Sequence, residues 1–205
     1  MPGVVEIARF ASNEAYRSDP AVINPSLEIL SRAKGVQAIF HGIQVEDEET
    51  VYIVIIWDRV EDHKALIDDQ DAYTKLRTNL AKCGSTEHHI LHVPLLPDPL
   101  AQLRAPLTEF SFMTLKPGQS AQELGDFMNV VLEKSGTSLK VRYGTSWGKT
   151  VEKDDLFFLV MGWNSLQDHQ KNIEENEENI TLTAQLLKLV DFKLTHVELQ
   201  EYRLQ

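Results

Sequence analysis

Histidine is the side chain whose proton moves most readily near neutral pH. The chain has seven, and five of them fall in its first half: His41, His63, His88, His89 and His92. His63 closes the segment Trp57-Asp58-Arg59-Val60-Glu61-Asp62-His63. The segment Trp163-Asn164-Ser165-Leu166-Gln167-Asp168-His169 repeats its pattern 106 residues on. Tyr73 lies ten residues beyond His63, in the same expected helical region. A histidine and a tyrosine in an apolar pocket suit deprotonation of a phenol or of an activated polyketide carbon. His63, Tyr73 and His41 are therefore the catalytic candidates. Trp57, His88, His92, Trp163 and His169 are the candidates for contacting a substrate. Each also has a plainer reading. A histidine kept in both copies of a repeat can simply fix a helix to a sheet. An indole buries a large area and packs, and a helical tyrosine is often half exposed.

Other chemistries find little support. His88 and His92 share a strand face, but four residues apart they are too distant to chelate one ion. With no H-x-H pair and no cysteine cluster, no metal site is expected. The acidic turn Glu46–Glu49 lacks the spacing and glycine of a calcium loop. The single cysteine, Cys83, has no evident base beside it in sequence and reads as inert. Nucleotide-binding glycine loops are absent from the sequence. No cofactor is expected. A net charge of −11 and scattered basic residues argue against nucleic acid and anionic membrane surfaces. The lone cysteine points to a reducing, cytoplasmic setting. The first residues show no signal-peptide pattern, and no apolar run is long enough to span a bilayer.

The elements that must position these residues come in duplicate. The 106-residue offset also pairs Gly42 with Gly148, Val45 with Val151, Glu46 with Glu152 and Val54 with Val160. Toward the ends the register drifts: His92-Val93 matches His196-Val197 at 104, and Glu6 matches Glu109 at 103. Such collinearity marks an internal duplication. Each copy reads strand, helix, strand, strand, helical region, strand. In the first copy the strands are expected at 4–10, 36–45, 51–57 and 88–95, with helices at 23–34 and 60–82, the latter broken near 68–71. In the second the strands are 108–115, 140–150, 156–163 and 192–199, with helices at 121–134 and 166–190. This order is the ferredoxin-like βαββαβ unit.

Val51–Trp57 and Leu156–Met161 are apolar at nearly every position, so both faces of these strands should be covered. Helices cover one face. The economical cover for the other is the second repeat, which predicts an intramolecular dimeric α+β barrel. The fold class is thus α+β, with a first repeat at 1–95, a stiff proline-rich linker at 96–106, and a second repeat at 107–205. Such a chain would be a monomer with a pseudo-dimeric barrel, or a homodimer.

After each central tryptophan, Asp58 with Glu61 and Asn164 with Gln167 read as helix-starting capping boxes. Helices begun there place Val60, His63 and Ile67 on one face, and Leu166, His169 and Ile173 likewise. Both histidines then face inward, while Asp62 and Asp168 point outward.

Taken together, Gly-x-x-Val-Glu before an acidic hairpin, an apolar strand, and Trp-Asn-Ser-Leu-Gln-Asp-His resemble the antibiotic-biosynthesis-monooxygenase-like families of the dimeric α+β barrel superfamily, in their tandem-repeat fungal form. The resemblance spans nearly the full length. It implies ligands held between a sheet and its own helices, and a cofactor-independent oxygenase or cyclase of secondary metabolism. The substrate would be a small hydrophobic aromatic, polyketide or terpenoid-like molecule. The alternative is a non-catalytic binding or stress-response barrel. Haem degraders of the superfamily use an asparagine on the first strand, and Val4–Phe10 has none. His41, Tyr73, His88 and His89 have no counterparts of their own type in the second copy. The ligand cavity is therefore expected in the first repeat, with the second mainly scaffold.

Overall fold

The structure is a computed structural model, described over residues 3–204. It divides into two compact units. One comprises residues 1–93 together with 200–205, and the other spans 94–199.

In the first unit β1 (Val4–Ala11) is followed by a short helix α1 (Glu14–Ser18), a 3₁₀ turn (Pro20–Ile23) and α2 (Asn24–Ser31). Then come β2 (Val36–Ile43), β3 (Thr50–Trp57), α3 (Val60–Asp68), α4 (Gln70–Leu80) and β4 (His89–Val93). The antiparallel sheet has the order β4-β1-β3-β2, extended at its edge by β9 (Gln200–Tyr202). Alternate residues of β3 point to opposite faces. Val51, Ile53, Ile55 and Trp57 pack with Leu27, Leu30, Leu66, Leu76 and Leu80 of the helices. Tyr52, Val54 and Ile56, on the other face, are buried as well.

The second unit contains α5 (Leu100–Leu103), β5 (Leu107–Leu115), α6 (Ala121–Ser135), β6 (Thr145–Lys149), β7 (Leu156–Trp163), α7 (Leu166–Glu175), α8 (Glu177–Leu189) and β8 (Val190–Val197). Its sheet is antiparallel in the order β6-β7-β5-β8, the same arrangement as β2-β3-β1-β4. Phe110, Phe112 and Phe158 form an aromatic cluster on the sheet face away from the helices. The chain is therefore two ferredoxin-like α+β repeats, as the duplication requires.

Several expectations need correction. Residues 96–106, expected as a stiff linker, form part of the second unit. Leu96 bridges to Trp147, α5 forms within the segment, and buried Gln102 bonds with Ser146. The last residues return to the first unit through β9, which the repeat pattern did not foresee. The strand expected over 140–150 is confined to β6, because Lys140 and Gly144 take positive φ angles and turn the preceding chain.

Both capping boxes sit one residue off. The α3 N-cap is Arg59, with no side-chain bond, and Asp58 instead accepts from Gln37 Nε2 at 2.6 Å. The α7 N-cap is Ser165, whose hydroxyl accepts from the Asp168 amide at 3.1 Å. Ser165→Ala is expected to lower stability by about 1 kcal/mol, whereas Asn164→Ala leaves α7 capped. Equilibrium urea unfolding of the two variants checks this, and an equal loss in both would return the cap to Asn164. Asp62 is also buried rather than outward. It lies against Gly35, whose φ of +82° and lack of a Cβ let the carboxylate approach. It also lies 3.5 Å from the Arg59 guanidinium.

Candidate active site

Each repeat assembles the same four side chains from four elements. Glu6 comes from β1, Trp57 from the end of β3, His63 from α3 and His92 from β4. The Trp57 indole N–H donates to Glu6 Oε2 at 2.7 Å. The His63 ring stacks on Trp57, with centroids 5.2 Å apart and planes 17° from parallel. His63 Nδ1 is 2.8 Å from His92 Nε2 and 3.2 Å from Glu6 Oε2.

In the second repeat the residues are Glu109, Trp163, His169 and His196. Trp163 donates to Glu109 Oε2 at 2.9 Å, and His169 Nδ1 is 2.8 Å from His196 Nε2. His169 turns its other nitrogen to the acid, with Nε2 3.4 Å from Glu109 Oε2. Glu109 Oε1 also accepts from Ser111 at 2.7 Å; the residue matching Ser111 in the first repeat is Ala8, which has no donor. Both carboxylates and all four histidines are buried. Buried ionisable groups persist only when hydrogen-bonded or paired, and these clusters satisfy that condition.

The structure thus brings together Trp57, His63 and His92, and separately Trp163 and His169. It does not gather the other candidates around them. His41 is buried on β2, with Nδ1 2.9 Å from the Tyr16 hydroxyl. Burial, and to a lesser extent the Cys83 thiol, hold the Tyr16 hydroxyl well above its ordinary pKa, while burial pushes His41 below its own. The Tyr16–His41 hydrogen bond therefore joins two groups that burial favours in their neutral forms. His88 stacks on Phe10 at 4.8 Å and reaches the Ser85 carbonyl at 3.1 Å. Tyr73 is half-buried and packs on the core of its unit.

The His41 arrangement has a pH consequence. A folded-state pKa below the ordinary 6.5 means that the unfolded chain takes up the proton first. The stabilisation is complete above the unfolded value and is lost as pH falls through the folded one. Wild type is expected to lose more stability than His41→Leu between about pH 7.5 and about pH 5.5, where an unperturbed histidine titrates. Urea titrations at both pH values measure this, and equal losses contradict it.

A cavity of about 280 Å³ lies between the sheet and helices of the second repeat. Glu109, Trp163 and His169 form its buried polar end. Met128 and Val131 of α6 and Leu182 and Leu186 of α8 supply apolar walls. Ile173 and Leu187 line it too, and both are substantially exposed, at 43% and 45%, which gives the cavity an apolar rim. Asn179, the counterpart of Tyr73, also faces it. Where the first repeat packs a tyrosine, the second has a shorter amide tied to Asn172 at 2.8 Å. A second cleft of about 290 Å³ borders Trp163, but Lys140, Arg142, Asp168, Lys171 and Glu175 give it a charged lining.

The sequence placed the ligand cavity in the first repeat; this cavity lies in the second. Sequence reasoning also passed over Glu6, Glu109 and His196 as site residues. Their signal was present, since both glutamates and the His92–His196 pair are matched between repeats.

Among the described residues, no helix is long and apolar enough to cross a membrane. No family model matches the chain, and no curated protein does. Solved structures do. A candidate monooxygenase from Fusobacterium nucleatum superposes with a TM-score of 0.68 at 11% identity, covering 98% of this chain and 97% of its own. A candidate monooxygenase from Lactobacillus acidophilus gives 0.69 at 9% identity, with 98% and 96% covered. An anthrone oxidase-like protein gives 0.64 at 10% identity, with 98% and 94% covered. At such identities the shared property is the fold, and over nearly its whole length this chain has the two-repeat α+β fold of these monooxygenase-like structures.

Proposed function

We propose that the chain is a cofactor-independent oxygenase or cyclase acting on a small hydrophobic aromatic or polyketide-like molecule in the cavity of the second repeat. The observation that carries this reading is an apolar cavity ending on a buried imidazole and carboxylate. That is the usual composition of a small-molecule site, apolar walls with a few convergent polar groups. At about 280 Å³ the space suits a compact fused-ring molecule.

His169 acts as the base. Its Nδ1 is engaged with His196, so Nε2, 3.4 Å from Glu109 Oε2, is the nitrogen that takes the proton from substrate. Glu109 is oriented by Trp163 and Ser111 and stabilises the imidazolium that forms. Removing a proton from an activated CH₂ leaves a carbanion. In an oxygenase this carbanion adds to O₂, the peroxide anion takes the proton back from the His169 imidazolium, and the resulting hydroperoxide loses water to leave a carbonyl. In a cyclase it attacks a carbonyl of the same molecule. Neither route calls for an added cofactor.

The test is binding and oxygen uptake with anthrone, the compound in the name of one structural neighbour, together with related phenols. Saturable binding is expected in wild type. Asn179→Tyr, which restores the residue of the first repeat, is expected to abolish it while the protein stays folded by circular dichroism. Binding unaffected by Asn179→Tyr would move the ligand elsewhere.

A further inference from the structure

The two polar clusters match in composition but differ in how the central histidine is turned. We infer that the first repeat holds a divalent transition-metal site made of Glu6 Oε2, His63 Nδ1 and His92 Nε2. In that cluster a single nitrogen of His63 faces both partners, at 2.8 Å and 3.2 Å. Metal–ligand bonds of about 2.1 Å put ligand atoms so spaced at angles of roughly 85–100° around a common ion. Two histidines and one carboxylate are a donor set suited to borderline divalent metals. Glu6, His63 and His92 come from β1, α3 and β4, and their ligand atoms all lie within 4.8 Å of one another. The expectation of no metal came from spacing along one strand, and spacing along a strand is silent about groups that converge from separate elements.

The surroundings are those of a built site. Glu6, His63 and His92 are 4%, 6% and 8% exposed. Trp57 donates to Glu6 Oε2 and stacks on His63, fixing both, as outer-sphere partners of metal ligands commonly do. In the second repeat Glu109, His169 and His196 bring ligand atoms within the same 4.8 Å, but in a different arrangement. There His169 presents Nδ1 to His196 and Nε2 to Glu109, an arrangement suited to moving a proton rather than holding an ion. This inference is independent of the function proposed for the second repeat.

The experiment is titration of chelator-treated full-length protein with Co²⁺, read by its visible d–d absorption, and with Zn²⁺, read by calorimetry. One equivalent is expected to bind, weakened at least about tenfold by Glu6→Gln or His92→Gln and retained by His196→Gln. Two equivalents, one of them lost in His92→Gln, would support the site equally. A Zn²⁺-dependent rise in Tm of the wild type gives a readout that does not depend on how the variants fold. No cobalt spectrum together with no Zn²⁺-dependent rise in Tm would overturn the inference, as would binding that Glu6→Gln and His92→Gln both keep.

Discussion

His169→Gln is expected to lower turnover by about 10²–10⁴-fold, the usual contribution of a positioned acid–base group. His63→Gln should leave turnover within a few-fold of wild type. Both histidines pack on a tryptophan and bond to a second histidine. A purely structural role would make the two substitutions equivalent. What separates them is the cavity, which His169 lines together with Glu109. Parallel measurements of kcat and Tm on the two variants distinguish the cases. Equal effects on kcat would assign both histidines to fold maintenance.

Trp57→Ala should be the most damaging single change to stability, at about 3–5 kcal/mol for loss of a large buried side chain. The indole is fully buried and stacks on His63. Its N–H also serves the buried Glu6 carboxylate, so truncation removes a donor from a charged acceptor as well as packing. Trp57→Phe should recover most of the packing but not the hydrogen bond, and so fall between the two. Urea unfolding of the three proteins measures the series. A loss in Trp57→Ala of less than about 1 kcal/mol, the scale of an ordinary exposed substitution, would mean that the indole does not organise this site.

Those substitutions fall on residues the sequence singled out, and the reasons it did so are physical. Duplication preserves both hydrophobic period and motif order, so the βαββαβ order of each repeat was legible from offsets alone. The break between α3 and α4 was legible too, and it falls at Asp69, whose side chain accepts from the Ala72 amide. The inward direction of His63 and His169 survived a one-residue error in the caps. The helices begin at Val60 and Leu166 whichever preceding residue caps them.

Three things were not legible. A strand glutamate such as Glu6 or Glu109 reads by composition as exposed, because acids are rarely buried without partners. Their partners come from β3, α3 and β4, or the matching elements of the second repeat, too far off in sequence for local spacing to reveal. The burial of Asp62 depends on the positive φ of Gly35, 27 residues away in the chain. The location of the cavity depends on volumes summed over several elements. Counting unmatched histidines favoured the first repeat, yet those histidines are occupied otherwise: His41 with Tyr16, and His88 with Phe10. The Tyr73-to-Asn179 exchange was visible as a difference, but its effect on open space appears only once α8 is placed over the sheet.

The most direct test of the account is a crystal structure of the protein with a bound fused-ring phenol. The ligand is predicted between α6, α8 and the second sheet, with its polar group within hydrogen-bonding distance of His169 or Glu109 and its rings against Met128, Val131 and Leu182. Ligand density in the first repeat, or on the charged cleft beside Lys140 and Arg142 with the second-repeat cavity empty, would contradict it.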